Sequence, residues 1–332
     1  MTARPVTGIA LAGVAVLGSW LAITIGAAPS GAVVHRAFDS KCGVFPVASE
    51  VPVGAPSLPD ERAWNQDVSA SPVAADSDRI IDYIDSHGGS MLHPDFGREP
   101  KYGIPYAVVG SRTKPVRVRF GAYGADSDGG RYRIPLSAPI EGGARSDGDR
   151  HVIGYDRSGC KLYELYNATP KRRSWRADSG AIWDLASPDL RTPGFTSADA
   201  AGLPIFPGLA RFDEVRAGEI DHALRVTFDV TRDAWVNPAS HCASDVSSPD
   251  APPMGLRLRL KASYDTSGFT GQSKVIAAAL KRYGLINADN GSNWFFGGAP
   301  DEGWKDNDLN QLKEIPGSAF EVVKSEAPVH VC

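Results

Sequence analysis

The chain has 332 residues, with 35 basic against 39 acidic side chains, 35 Gly, 25 Pro and four Cys. A formal charge of −4 leaves no electrostatic footprint for nucleic acid or an anionic membrane surface. The Gly and Pro content suits many turns and short strands rather than helix bundles, whose interiors exclude both residues, and 42% hydrophobic residues can fill a sizeable core. At about 150 residues per domain the length suggests two domains, though one large all-β domain fits as well.

Residues 8–26 (GIALAGVAVLGSWLAITIG) carry no charge and end in small residues, and Ser30-Gly31-Ala32 is an A-x-A-like cleavage site. This predicts a signal peptide over 1–32 with Val33 starting the mature chain. The other reading is an uncleaved anchor, since about 20 apolar residues span a bilayer. Either way the remainder is exported. Export gives meaning to Cys42, Cys160, Cys242 and Cys332. No CxxC occurs, so zinc and thioredoxin readings are poor, and an even number favours two disulfides of open connectivity.

Residues 33–60 read as an extended, Pro-rich lead-in, and 61–332 as a single β-rich domain. Asp76 to His87 predicts a short helix with Ile80, Ile81 and Ile84 on one side, stopped by Gly88-Gly89. Val116, Val118 and Phe120 then alternate with Arg117 and Arg119 in a half-buried strand. HVIGYD (151–156), KLYELY (161–166) and GAIWDL (180–185) follow, separated by turn residues. The most regular strand is predicted over Ile220 to Val230, with His222 on its apolar face, and GLRLRLKA (255–262) repeats the alternation. One late helix, Ser273 to Tyr283, is closed by Gly284 at a left-handed cap position. Many strands with few helices predict a mainly β fold, a β-sandwich or jelly-roll-like single domain.

RHVIGYDRSGCKLYELYNA (150–168), GFTSADAAGLPIFPGLARFDEVRAGEIDHALRVTF (194–228), PPMGLRLRLKASYD (252–265) and KRYGLINADNGSNWFF (281–296) carry a likeness. They resemble segments of a family of exported bacterial proteins common in actinobacteria. The resemblance runs from about Trp64 to Phe320 and implies one continuous exported domain, but no active-site residue.

No G-x-S-x-G, H-E-x-x-H, P-loop or G-x-G-x-x-G motif is present, which demotes serine hydrolase, zincin, kinase and dinucleotide enzyme. What remains are polar residues where strand patterning expects apolar ones. His222 reads as a general acid/base or as a neutral core histidine with a hydrogen-bonded neighbour. Glu164 sits in a strand apolar on both faces, where desolvation would raise its pKa as a general acid requires; alternatively its tip reaches solvent from an edge strand. Glu214, Glu219 and Asp221 crowd the approach to His222, as a glycosidase carboxylate pair would or as a charged helix turn and strand entrance would. Asp199 fits a helix turn capped by Ser197.

His93, His151, His222 and His241 lack metal-ligand spacing, so no metal or other cofactor is expected. The loops 125–130 and 145–150 look oxygen-rich but read as solvated turns rather than calcium loops. Trp294, Phe295 and Phe296, with Trp304, lie in a Gly-, Asn- and Asp-rich segment, either as a packed plug or as a platform for sugar rings. Trp183 and Trp235 are expected in the core.

Two hypotheses follow. The first is an exported carbohydrate-active enzyme, a glycoside hydrolase or polysaccharide lyase, with Glu164, Glu214 and His222 catalytic and Trp294, Phe295 and Trp304 stacking on sugar. The second is a non-catalytic exported glycan-binding or cell-envelope protein. Both take a polysaccharide partner, no nucleic acid, and no membrane beyond an uncleaved anchor, and both suit a monomer. They are separated by whether Glu164 or Glu214 reaches His222 in an open groove.

Overall fold

A computed structural model describes residues 63–187 and 189–332. The signal segment, the lead-in and Cys42 lie outside them. In chain order the first half forms α1 (Ser77–Ser86), β1 (His93–Asp95), β2 (Tyr106–Val109), β3 (Val116–Phe120), β4 (Arg131–Tyr132), β5 (Val152–Asp156) and β6 (Lys161–Tyr166). Next come β7 (Thr169–Lys171), β8 (Ser174–Ala177), β9 (Ser179–Asp184), α2 (Phe212–Ala217), β10 (Leu224–Phe228) and β11 (Ala234–Trp235). The last part forms β12 (Arg257–Leu260), α3 (Gly271–Arg282), β13 (Leu285–Asn290), β14 (Phe295–Gly297), α4 (Asp306–Asn310), β15 (Phe320–Val322) and β16 (His330–Val331).

The fold is mainly β and sandwich-like, with a few short helices. A six-stranded sheet runs β1-β14-β10-β13-β12-β15, and two four-stranded sheets run β2-β5-β6-β9 and β4-β3-β8-β7. The β5–β6 layer lies between two cores. Ile153, Tyr155, Leu162 and Trp183 pack on one side of it with Phe206 and Leu209. Val152, Tyr163 and Leu165 pack on the other with Tyr132 and Trp175. A strand apolar on both faces is therefore covered on both. The larger core lines the six-stranded sheet and takes in the α1 face of Ile80, Ile81 and Ile84.

Local signals explain the helix ends. After α3 the Tyr283 and Gly284 N–H groups both donate to the Ala279 carbonyl, at 2.7 and 3.0 Å. Gly284 has φ +72°, and a Cβ there would come within 1.9 Å of the Leu258 carbonyl oxygen. Only glycine satisfies the left-handed turn and the close approach together.

The strand expected over Ile220 to Val230 is shorter, Leu224–Phe228, with a bulge between Val226 and Thr227. Its ends are diverted. Ala223 donates to the Trp64 carbonyl (2.7 Å), and Asp229 N–H is taken by the Asn293 side chain (2.8 Å). Ile220 and His222 are buried by packing rather than by a ladder.

Cys242 and Cys332 form a disulfide, and Cys160 is also disulfide-bonded. Among the described residues no helix is long and apolar enough to cross a membrane. Trp183 and Trp235 are core residues, as expected.

Candidate functional site

The residues singled out in the sequence are held in a closed scaffold. Glu164, in the middle layer, is fully buried. It accepts the backbone N–H groups of Ile205 (3.0 Å) and Phe206 (2.9 Å) and the indole N–H of Trp183 (3.1 Å). The two backbone donors open the 3-10 turn Phe206–Gly208. Burial pushes the Glu164 carboxyl up to about 7, with the N–H donors holding it back. The expected edge-strand exit to solvent is absent because β5 and β9 flank β6 on both sides.

The far end of the same segment is clamped by Arg211, which donates to the Phe206 and Leu209 carbonyls and pairs with Glu214. Glu214 Oε1 lies 3.1 Å from His222 Nε2, and His222 Nδ1 faces the Ala223 carbonyl at 2.7 Å. Both ring nitrogens thus face oxygens, an arrangement satisfied when a proton lies between Nε2 and Oε1. Burial and the Arg211 charge push the imidazole down, to about 4. Glu214 and His222 therefore meet, but at 3% and 2% exposure they are out of a substrate's reach, and Glu164 is not with them. The catalytic roles expected for these three residues are withdrawn on that ground. What they do is hold the segment 205–214 against the sheets.

That role has a measurable consequence. Glu164→Leu strands the Ile205 and Phe206 N–H groups without an acceptor, a cost of about 1–3 kcal/mol for each orphaned group. We expect about 2–4 kcal/mol of lost stability in urea unfolding. A loss below about 1 kcal/mol would show that the turn does not need its carboxylate.

The aromatic platform is also revised. Trp294 and Trp304 are 0% and 1% exposed. Their indoles donate to Asp85 (2.7 Å) and to the Ala299 carbonyl (2.9 Å), so both rings are plugs. Phe295 differs. It is only half-buried, and its ring stacks on His93 at 4.1 Å and 11°.

That stacked pair lies on the face of the six-stranded sheet that carries the titratable cluster. Asp95 is registered with Gly297, and a side chain at Gly297 would strike the Arg225 stem at 3.2 Å. Arg225, 5% exposed, bonds Asp199 at 2.6 Å and reaches Asp289 at 3.4 Å. Asp289 stands on β13, beside β10 and past its bulge. Asp199 comes from the turn that follows Ser197. No helix forms there as expected; instead Ala201 N–H bonds the Ala288 carbonyl and ties the turn to β13.

The second wall is His151 and Glu141. His151 Nδ1 donates to Glu141 Oε2 at 2.7 Å and Nε2 to the Ala198 carbonyl at 2.9 Å. Two acceptors suit an imidazolium. Burial alone would lower His151, but the Glu141 charge and hydrogen bond and then Asp149 lift it to about 9. Burial would raise Glu141, yet its bonds to His151 leave it below the usual carboxylate range.

Asp289 goes the other way. Burial and then the Asp199 charge push it up to about 7, against the pull of Arg225 and His151. Asp95, at the rim, is pushed up by partial burial and then by Glu141. Asp289 and Glu141 keep 19% and 24% side-chain exposure, so both are accessible. Asp199 Oδ2 and Arg225 Nε have no hydrogen-bond partner among the described residues, so the cluster is not saturated.

The sequence pointed to none of Glu141, Arg225 or Asp289, and it placed His151 only as a remote metal candidate. Their signal was polar residues inside strands: Arg225 in LRVTF, and Asn287 and Asp289 in LINADN. Among the described residues no three His, Cys, Asp or Glu side chains converge on a metal-sized site. Of the two oxygen-rich loops, 125–130 spends Asp128 on Arg191 (2.6 Å) and the Ile182 N–H (2.7 Å). No family model, curated protein or solved structure matches the chain.

Proposed function

We propose that the protein is an exported glycoside hydrolase acting on an extracellular or cell-wall polysaccharide. Asp289 is the general acid and Glu141, paired with His151, the general base or nucleophile. The observation that carries this reading is the split between two accessible carboxylates around Arg225, one held protonated near neutrality and one held ionised. Paired carboxylates driven apart in this way are what glycosidic cleavage needs. The His93–Phe295 pair supplies a flat apolar surface for a sugar ring. Hydrolysis suits the site better than elimination at a uronate, whose carboxylate the charges of Glu141 and Asp149 would repel.

The test is product release by the chain from residue 33 on a panel of neutral and charged polysaccharides. Asp289→Asn and Glu141→Gln should each lower kcat/KM by about 10²–10⁴-fold while remaining folded. Activity should fall as pH rises through about 7, because Asp289 then loses its proton. A folded Asp289→Asn protein with full activity rejects the assignment. Binding of a glycan at the His93–Phe295 pair with no product from any polymer favours the second reading, a non-catalytic glycan-binding or envelope protein.

A further inference from the structure

Buried arginines elsewhere in the protein are matched by acids: Arg211 with Glu214, Arg225 with Asp199, and Arg259 with Glu321 at 2.8 Å. Arg257 is not. It stands on β12, registered against Ile286, which is in turn registered against Arg225, so the two arginines are two strands apart. Its Nη2 donates to the Ala63 and Gln66 carbonyls, while Nε and Nη1 have no hydrogen-bond partner among the described residues. No carboxylate among the described residues pairs with this cation, and burial lowers its pKa to about 9. Leaving a guanidinium desolvated and unpaired is costly.

Arg257 lines a groove of about 690 Å³. Arg232, whose Nε likewise has no hydrogen-bond partner among the described residues, lines it as well. Of the other charges on the walls, Arg79 is spent on Asp250 (3.0 Å) and Lys324 on Glu326 (2.7 Å), and the remaining one is the carboxylate of Asp76. The groove has the size of a small-ligand site, and Val236, Pro253, Leu256 and Val322 give it apolar walls. None of its lining residues belongs to the carboxylate cleft.

We propose that this groove binds a small organic anion, the carboxylate or phosphate group of an acidic sugar, with Arg257 and Arg232 donating to its oxygens. The N–H donors left over on Arg257 and Arg232 can each take one oxygen of such a group, and the anion supplies the missing countercharge. A neutral sugar of the same size leaves the arginines as they are and should not bind. The inference does not depend on the hydrolase reading, and it stands or falls without any catalytic measurement.

The experiment is calorimetric titration of the chain from residue 33 with glucuronate, glucose 1-phosphate and glucose. Saturable binding of either anion and none of glucose is expected, and the stronger of the two anions identifies the group. Affinity should drop at least tenfold in Arg257→Gln and in Arg232→Gln. Arg257→Gln also loses the bonds to Ala63 and Gln66, so Arg232→Gln is the decisive variant if the first does not fold. Asp289→Asn should bind as the unmodified protein does. No saturable binding of either anion, equal binding of glucose, or unchanged affinity in a folded Arg232→Gln protein would overturn the proposal.

Discussion

Arg225→Met is expected to cost about 3–5 kcal/mol of folding stability, the usual result of removing one partner from a buried ion pair. The guanidinium is held between Asp199 and Asp289, and its stem packs against Gly297 and Gly208. Methionine fills most of that volume but leaves two carboxylates facing each other across a desolvated gap. Their repulsion makes the loss depend on pH. Asp289 already sits at about 7 against 3.8 for a free aspartate, so folding takes up a proton that the unfolded chain releases. Its contribution is fully present below about 3.8 and is lost as pH rises through about 7. Removing Arg225 raises Asp289 further, so the deficit should be small near pH 4 and largest above pH 7. Urea unfolding of both proteins across that range measures it. A loss under about 1 kcal/mol, or one independent of pH, would mean that the cluster is not coupled through Arg225.

Replacing Cys242 and Cys332 by Ser should have a similar total effect by a different route. The bridge closes a sequence separation of 90 residues, and the chain-entropy model assigns such a loop about 4–5 kcal/mol. It also holds β16 against β11, where His330 stacks on Trp235 at 3.9 Å. Neither sulfur titrates in the native protein, so this loss should be flat between pH 4 and 7, unlike that of Arg225→Met. The comparison is made by the same unfolding series under oxidising conditions. A double Ser variant as stable as the parent would show that the unfolded chain gains no freedom from losing the bond.

Local structure was legible where one periodicity dominates. α1 and α3 follow from their apolar spacing, and two-sided burial of β6 follows from apolar residues at both parities. The candidate site was hidden for a physical reason. Arg225 falls on the parity of β10 that looks like a solvent face, but the turn that carries Asp199 and the segment around Gly208 cover that face and make it a buried ion-pair floor. Parallel pairing of β10 with β13, some 60 residues on, is not encoded in either strand alone. Glu141 and His151 lie ten residues apart in a Gly-rich segment whose composition reads as a solvated turn. Trp294 and Trp304 misled in the opposite sense, since a polar, flexible-looking neighbourhood surrounds rings that in fact close the core.

The order of strands in the largest sheet bears on how the protein must be made. β1, near the start of the described chain, pairs with β14, about 200 residues later, and Val73 bridges Val323. Early and late segments are woven into the six-stranded layer, so no contiguous half holds its complete set of partners, whereas the two four-stranded sheets are built entirely from residues 106–184. Contacts of such long sequence separation favour slow folding, in milliseconds to seconds, because loop closure precedes any reward. Cutting the gene between β1 and β14 should thus leave the six-stranded layer incomplete in both fragments, with unpaired edges exposed to one another.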